Sequence, residues 1–402
     1  MEADDEHVRH SSLCSSLDEI KKEYGRGVFV YFHMLRFVGL GNLVMGLIAL
    51  AAFLGADSEG IVDDGVATMF LSSYPAASHG AWAATSVLML LAGIAIGPGY
   101  RRYQAFLSKK WTGADREEEI ERDDAIIEYD KNGARITISS SSRRCRKYVS
   151  VFVFVLVLVA QGVLQWLLHV ALADASDNTT AQIIAVVITV LNIVWKTIGK
   201  KLTIFEKHET WTSYREWDTG KVFLLKLFNL VILYIVKTVT AQSGNNADEC
   251  PLKALGYQFF WLIVYDLTLN NMVELAAPLA MTFVYKKLGW TKGKGDNASK
   301  PRFDLAEEYV EVLYRQFVVF LGMLVFPLLA MVSAFAFVLE HWLDKARLLY
   351  ICQKPTKREE PLRGKLVMWL YGLTCLAALA SFPNGAAWVL GGYNMEHCGF
   401  FM

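Results

Sequence analysis

The chain has 402 residues, 54% of them hydrophobic, and a mean hydropathy of +0.30. Its 40 basic and 40 acidic side chains cancel, and no nucleic-acid partner is expected. Repeated apolar runs of about 20 residues are long enough to cross a bilayer, which excludes a soluble enzyme. The composition therefore predicts an all-α polytopic membrane protein in the lipid bilayer.

The first 27 residues are polar and form a predicted cytoplasmic segment, residues 1–27. Within it, Ser16 precedes Asp18 and Glu19 in the pattern that begins a helix, so a short surface helix is expected. The acidic start has no apolar run, so a cleavable signal peptide is not expected and the first span acts as an uncleaved anchor.

Apolar runs predict about nine membrane-spanning helices. Spans one and two lie within 28–100, a hydrophilic cytoplasmic loop covers 101–147, and spans three to nine lie within 148–382. In chain order, the expected spans cover residues 28–54, 80–99, 148–173, 182–199, 221–241, 255–284, two spans within 309–339, and 364–382.

Glycine and proline set two of these boundaries. The sequence Gly97-Pro98-Gly99 is expected to end span two, and Pro327 is expected to split 309–339, which is too long for one span. In the loop after span two, the alternation at 134–138 predicts a short strand.

Basic residues set the topology. They are concentrated in 101–147, 196–221, 286–302 and 345–365, whereas 55–79, 174–181, 242–250 and 383–402 contain none. The positive-inside rule therefore places the N-terminus and the basic loops in the cytoplasm, and the short tail 383–402 outside the cell.

The sixth span carries acidic residues at positions where contact with the lipid hydrocarbon would be unfavourable. Asp266, Asn270 and Glu274 are spaced by four residues, so a helix places them on one face. An ionised carboxylate at the bilayer centre costs roughly 2.5–3.5 kcal/mol, so such a face points at protein or water. We interpret this span as a pore-lining helix.

A second polar stripe opens the seventh span. Asp304, Glu308 and Glu311 share a helix face and form the expected opposite wall of a path that attracts cations. Arg315 follows Glu311 by four residues and is expected to pair with it. In span four, Asn192 either continues the pore lining towards the cytoplasm or bonds across helices.

Three alternatives remain for the charged residues. The acids form a salt-bridge network that stabilises the bundle without conducting ions, with Lys226 and Lys237 of span five as partners. Alternatively, the acids of span seven lie in the cytoplasmic interface. For Lys196 and Lys200, snorkelling to that interface is the simpler interpretation.

The predicted exterior side carries two further features. Asn178 begins the glycosylation sequence Asn178-Thr179-Thr180. Cys250 and Cys398 face the oxidising side, where they either form a disulfide or remain two thiols. The cysteine spacing indicates no metal site, and the absence of catalytic motifs predicts neither an enzyme nor a cofactor.

Four groups of short motifs follow one another between about Ile20 and Phe400. They are Tyr24-Gly25-Arg26-Gly27-Val28, Cys250 with Gly256-Tyr257-Gln258-Phe259, Phe303-Asp304-Leu305 with Gln316, Gly322 and Pro327, and Cys398-Gly399-Phe400. In this order they resemble the transmembrane channel-like (TMC) family. Residues 202–235 also resemble anoctamins.

This resemblance implies a TMC/anoctamin-like bundle, usually dimeric, with one pore per subunit formed by spans four to seven, here about 182–330. By this resemblance, Asp266 matches an acid of the sixth span that is linked to cation permeation, and Asp304 matches the acid that opens the seventh span. The implied function is a mechanosensitive, cation-permeable channel subunit of the plasma membrane. The chain ends where the family continues through a tenth span, so a shortened member or an incomplete gene model is expected.

Two other functions remain as alternatives. A lipid scramblase of the anoctamin type would pass headgroups along a polar helix face that is open to the bilayer. A non-conducting scaffold would use residues 101–147 to bind a cytoplasmic calcium-binding or adaptor protein.

Overall fold

The computed structural model describes residues 13–54, 79–108, 139–171, 177–208, 210–243, 251–276, 280, 303–323, 326–352 and 364–381. These residues form helices and no β-strand, which confirms the all-α fold class. The helices are α1 (Leu17–Tyr24), α2 (Arg26–Leu54), α3 (His79–Ser108), α4 (Ser140–Ala171), α5 (Asp177–Glu206), α6 (Trp211–Ser243), α7 (Pro251–Tyr265), α8 (Leu305–Gly322), α9 (Leu329–Ala346) and α10 (Gly364–Ser381).

Two helices continue into π-helical turns. The turn Asp266–Asn270 follows α7 and leads into helical residues 271–276, and the turn Arg347–Ile351 follows α9. A π turn holds one more residue than an α turn, so it rotates the side chains beyond it.

Helix α1 forms where its capping signal predicts. The Ser16 hydroxyl accepts a hydrogen bond from the Glu19 backbone N–H at 3.3 Å. Gly25 then turns the chain into α2 with a φ of 105°, a conformation that glycine adopts without steric cost. Leu17 and Ile20 are buried, so α1 packs against α2 and is not a free surface helix.

The predicted end of span two is wrong. Helix α3 passes through Pro98 and ends at Ser108. A Cβ atom on Gly97 would lie 2.4 Å from the Tyr371 ring, and one on Gly99 would lie 3.1 Å from the Phe37 ring. These glycines therefore allow α10 and α2 to approach α3 closely instead of turning the chain.

The predicted division at Pro327 is confirmed, because α8 ends at Gly322 and α9 begins at Leu329. Other helices are longer than their apolar runs. Helix α5 extends to Glu206 and α6 begins at Trp211, because a helix can continue beyond the apolar run that hydropathy detects.

Helix α8 is the centre of the bundle. It contacts α2, α6, α7, α9 and α10, and all of its residues except Glu307 are buried. By contrast, large apolar side chains on α2, α4 and α9 are exposed, among them Leu40, Phe152 and Phe335. An apolar outer surface around a polar interior is the arrangement expected in a bilayer.

Among the residues that the structure describes, three stretches are long and apolar enough to span a membrane by length and composition. They are Arg26–Ala51, Ser140–Leu168 and Gln182–Glu206. These stretches correspond to predicted spans one, three and four.

Candidate functional site

A seam of buried polar side chains joins α5, α6 and α8. The Asn229 side-chain amide donates to Asn192 Oδ1 at 3.0 Å, and Asn192 Nδ2 donates to Tyr314 Oη at 3.1 Å. From α4, Gln165 Nε2 donates to the Asn229 carbonyl at 3.0 Å. Asn192 therefore bonds across helices, one of the two roles expected for it.

Arg315 joins α8 to two other helices. Its Nη2 lies 2.9 Å from Asp266 Oδ2 and 3.1 Å from Glu340 Oε2, and Asn271 Nδ2 donates to the same Glu340 oxygen at 3.1 Å. The expected partner of Arg315 was Glu311, one turn along its own helix. Because Arg315 is 1% exposed, it needs carboxylates at close range, and neighbouring helices supply them.

The π-helical turn Asp266–Asn270 explains why Asn271 belongs to this seam. Asp266, Asn270 and Asn271 are all buried. A regular four-residue repeat predicts Asn270 but not its neighbour, and the wider turn brings both inward. Sequence periodicity therefore missed Asn271.

Three glutamates meet at one end of the seam, and we call them the acidic cluster. The carboxylates of Glu274, Glu308 and Glu311 offer one oxygen each, and these atoms lie within 4.8 Å of one another. Glu308 and Glu311 lie three residues apart on α8, and Glu274 follows the π turn after α7. The structure thus brings together one predicted residue of span six and two of span seven.

Basic side chains contact the acidic cluster from α5 and α6. Lys196 Nζ lies 3.5 Å from Glu274 and 3.8 Å from Glu311, and it also pairs with Glu307. Lys226 Nζ lies 4.0 Å from Glu311, as the salt-bridge alternative expects. Lys196 therefore faces the acids instead of snorkelling away from them.

Arg347, which the sequence analysis missed, bridges the cluster from the π turn after α9. Its guanidinium pairs with Glu274 and Glu308 and lies 3.9 Å from Asp344. From α2, the Tyr31 hydroxyl donates to Asp344 and lies 3.5 Å from Glu308.

A sequence signal for these α9 residues was available. Glu340 and Asp344 are spaced by four residues, like Asp266 and Asn270, but the eighth span was expected to end at residue 339. The expected spans therefore include neither of these residues.

Asp304 occupies a different place from the other predicted acids. It caps α8, because its carboxylate accepts from the Ala306 backbone N–H at 3.2 Å, and it pairs with Lys200 at 2.8 Å. A cap of this kind stabilises the helix end. Asp304 thus marks the start of the stripe and is not among the three carboxylates of the cluster.

Some predicted features lie outside the described residues. They are the strand at 134–138, Cys250 and Cys398, and the side chains of Asn178 and Lys237.

The acidic cluster is chemically suited to a hard divalent cation such as Ca²⁺, which prefers carboxylate oxygens. Both Glu311 carboxylate oxygens are buried, and Lys196 and Lys226 lie 3.8 and 4.0 Å from one of them. Glu274, Glu308 and Glu311 would hold the cation. Lys196 and Arg347 would then have to move away from those carboxylates.

Comparisons with known proteins agree with this architecture. A family model described as "Anoctamin: Calcium-activated chloride channel" matches residues 20–396. Mouse anoctamin-9 is 24% identical over 240 residues, which cover 52% of this chain and 31% of that protein.

Two transmembrane channel-like relatives match as well. Mouse transmembrane channel-like protein 6 is 23% identical over 188 residues, and its human counterpart is 24% identical over 189, each match covering 46% of this chain and 22% of the relative. The chain therefore spans less than a third of the length of these relatives. The resemblance to the TMC/anoctamin superfamily is confirmed, and because the family model covers most of the sequence, the chain belongs to the anoctamin family.

Proposed function

We propose that the chain is a subunit of a cation-permeable, mechanosensitive ion channel of the plasma membrane, with its path between α5, α6, α7 and α8. The observation that supports this proposal is that acidic side chains outnumber basic ones in the network formed by the seam, the acidic cluster and the α9 residues that contact them. The acids are Asp266, Glu274, Glu307, Glu308, Glu311, Glu340 and Asp344, and the bases that contact them are Lys196, Lys226, Arg315 and Arg347. A path lined by Asp and Glu side chains favours cations over anions.

In this proposal Asp266 acts through Arg315. The Arg315 guanidinium has two carboxylate partners, Asp266 and Glu340, and Asp266 offsets part of its positive charge in the path. Glu340 on α9 and Asn271 beyond the π turn hold the pair in place. This replaces the simpler interpretation of Asp266 as an acid that faces the passing ion directly.

The substitution Asp266→Asn tests the path. Arg315 then keeps only one of its two carboxylate partners, so the path becomes more positive. Cation conductance is expected to fall and the reversal potential to shift towards that of anions, measured on purified protein in liposomes under membrane tension. The matched control is Glu19→Gln, which neutralises an exposed acid on α1. Unchanged conductance and reversal potential in the Asp266 variant would remove the seam from the permeation path.

Gating by tension is proposed from the resemblance to the transmembrane channel-like family. A second stimulus is favoured by the acidic cluster, where a divalent cation would join the segment after α7 to α8 through Glu274, Glu308 and Glu311. Tension and Ca²⁺ are separable in the same liposomes. Current that requires tension in the presence of a chelator supports the first stimulus, and current that Ca²⁺ evokes at rest and Glu311→Gln abolishes supports the second.

The scramblase alternative is tested in the same preparation. Labelled lipid that crosses the bilayer while no ion current flows would replace the channel proposal with the scramblase. The absence of both activities, under tension and with Ca²⁺, would favour the non-conducting scaffold.

Assembly is proposed from the resemblance as well. We expect two copies of the chain per particle, a cytoplasmic N-terminus and a cytoplasmic adaptor or calcium-binding partner at 101–147. The mass of the purified protein in a lipid nanodisc measures the number of copies per particle.

A further inference from the structure

An open cavity of about 550 Å³ lies where the segment before α1 crosses the ends of α2, α3 and α9. It is separate from the seam and from the acidic cluster. The side chains that give it chemical character are Cys14, Asp18, His33, Arg36, Trp342 and Lys345. Its size suits a small organic group, since ligand sites commonly enclose about 300–1,000 Å³.

Two exposed apolar helix faces, one on α2 and one on α9, end at this cavity. On α2, Leu40, Val44 and Leu47 are exposed at helical spacing, and Arg36 lies on the same face one turn before Leu40. These apolar side chains are in the position of lipid-facing residues. This face of α2 therefore carries apolar side chains along its length and the Arg36 guanidinium at its cavity end.

Helix α9 repeats this arrangement in the opposite direction. Phe335, Val338 and Trp342 are exposed along one face, and Lys345 follows Trp342 by three residues. Helices α2 and α9 pack against each other, so both apolar faces end at the same cavity. Trp342 at that boundary is typical of the membrane interface.

The basic side chains are held in place. Lys345 Nζ donates to the Ser15 carbonyl at 2.6 Å, and Lys345 is only 3% exposed. Arg36 Nη2 lies 3.1 Å from His341 Nε2, which accounts for one of the five N–H donors of a guanidinium. Against these two bases the lining contains one acid, Asp18.

We propose that this cavity binds the headgroup of an anionic phospholipid of the cytoplasmic leaflet. Arg36 and Lys345 bind the phosphate, and the acyl chains lie along the exposed faces of α2 and α9. A guanidinium offers a phosphate two parallel hydrogen bonds, and an ammonium adds a point charge. The apolar faces select a lipid over a free anion because they contribute only when acyl chains are present.

Cys14 provides a direct test, because it is an exposed free thiol in the cavity lining, whereas Cys145 is an exposed free thiol elsewhere on the chain. The full chain is placed in nanodiscs of phosphatidylcholine alone or with phosphatidylserine, and the maleimide labelling rates of the two thiols are compared. Phosphatidylserine is expected to slow labelling at Cys14 while leaving Cys145 unchanged.

The variant Arg36→Gln is expected to weaken this protection about tenfold, the cost of losing a charge-assisted hydrogen bond. The control Lys22→Gln removes an exposed basic charge from α1 and should leave the protection intact. Unchanged Cys14 labelling with phosphatidylserine, or equal protection by inorganic phosphate in phosphatidylcholine nanodiscs, would overturn the proposal. So would an equal loss of protection in both variants, which would indicate general surface charge.

Discussion

Arg347 and Lys196 distinguish this acidic cluster from a metal site in which the carboxylates have no basic side chains beside them. Arg347 contacts Glu274 and Glu308, and Lys196 contacts Glu274 and Glu311. The chain thus contributes cationic groups of its own where a divalent ion would bind. Whether an added cation can bind depends on its competition with these two side chains.

Replacing Arg347 with Gln is expected to raise the affinity of the cluster for divalent cations. One fewer positive charge beside the carboxylates is worth at least about tenfold in affinity at the effective dielectric of a protein. A Ca²⁺ titration of the purified variant measures the change. The control Lys201→Gln alters an exposed base on α5 and should leave the affinity unchanged.

The buried carboxyl of Asp218 is expected to make folding stability depend on pH. It is buried just before the fifth predicted span, and burial, followed by the charge of Asp304, raises its pKa from 3.8 to about 6 despite Lys200 and Lys221. Between these values the folded state binds a proton that the unfolded state has released. The contribution of Asp218 to stability is therefore fully present below its ordinary pKa of 3.8 and is lost as the pH rises through about 6.

The variant Asp218→Asn removes this dependence, which is worth on the order of 2–3 kcal/mol. Thermal unfolding of the protein in detergent between pH 4 and pH 7 is expected to show a smaller decline in the variant. The matched change Glu216→Gln should retain the original slope. Identical profiles for the wild type and Asp218→Asn would contradict the assignment.

At the scale of single helices, close packing depends on glycines at the contacts between them. A Cβ atom on Gly46 of α2 would lie 2.8 Å from the backbone of Met331 on α9. Backbone atoms cannot move aside as the end of a flexible side chain can. This contact sets the distance between the two helices that flank the proposed lipid cavity.

Gly46→Ala is expected to lower stability by about 1–3 kcal/mol through overpacking. The control is Gly372→Ala on α10, where a Cβ atom meets nothing within 4 Å and the helix gains up to about 1 kcal/mol in propensity. Unfolding temperatures in detergent should therefore move in opposite directions. A Gly46 variant as stable as the wild type would show that α2 and α9 can separate freely.

The helix boundaries show which features of the fold the sequence alone predicts. Hydropathy predicted the helices and the division at Pro327, because an apolar run is a local property. The end of α3 was predicted wrongly, since Gly97 and Gly99 act on partners that are distant in sequence, Tyr371 and Phe37.

The candidate site shows the same limit. Periodicity selected Asp266, Asn270 and Glu274, but a regular helix could not predict the π turn or Asn271. Arg315 was assigned to Glu311 by local spacing, whereas its contacts come from other helices. Which charges pair is set by tertiary packing.

At the scale of the whole molecule, the predicted topology can be tested with existing thiols. Cys14 and Cys145 are exposed, and both lie in segments expected to face the cytoplasm. A membrane-impermeant maleimide is therefore expected to label them in cells only after permeabilisation. The experiment uses a Cys250→Ser, Cys398→Ser background. The control is the unmodified chain after mild reduction, in which Cys250 and Cys398 are thiols whether or not they form a disulfide. Labelling of Cys14 in intact cells would place the N-terminus outside.

The central position of α8 has a consequence for biosynthesis. Helix α4 is apolar, and 17% of its most apolar window is buried inside the protein, so it can enter the bilayer alone. Helix α8 carries Glu307, Glu308, Glu311 and Arg315, whose insertion without partners would cost roughly 10 kcal/mol. It therefore has to enter the membrane beside helices that are already there. The protein's central helix is thus expected to be among the last that the translocation machinery releases.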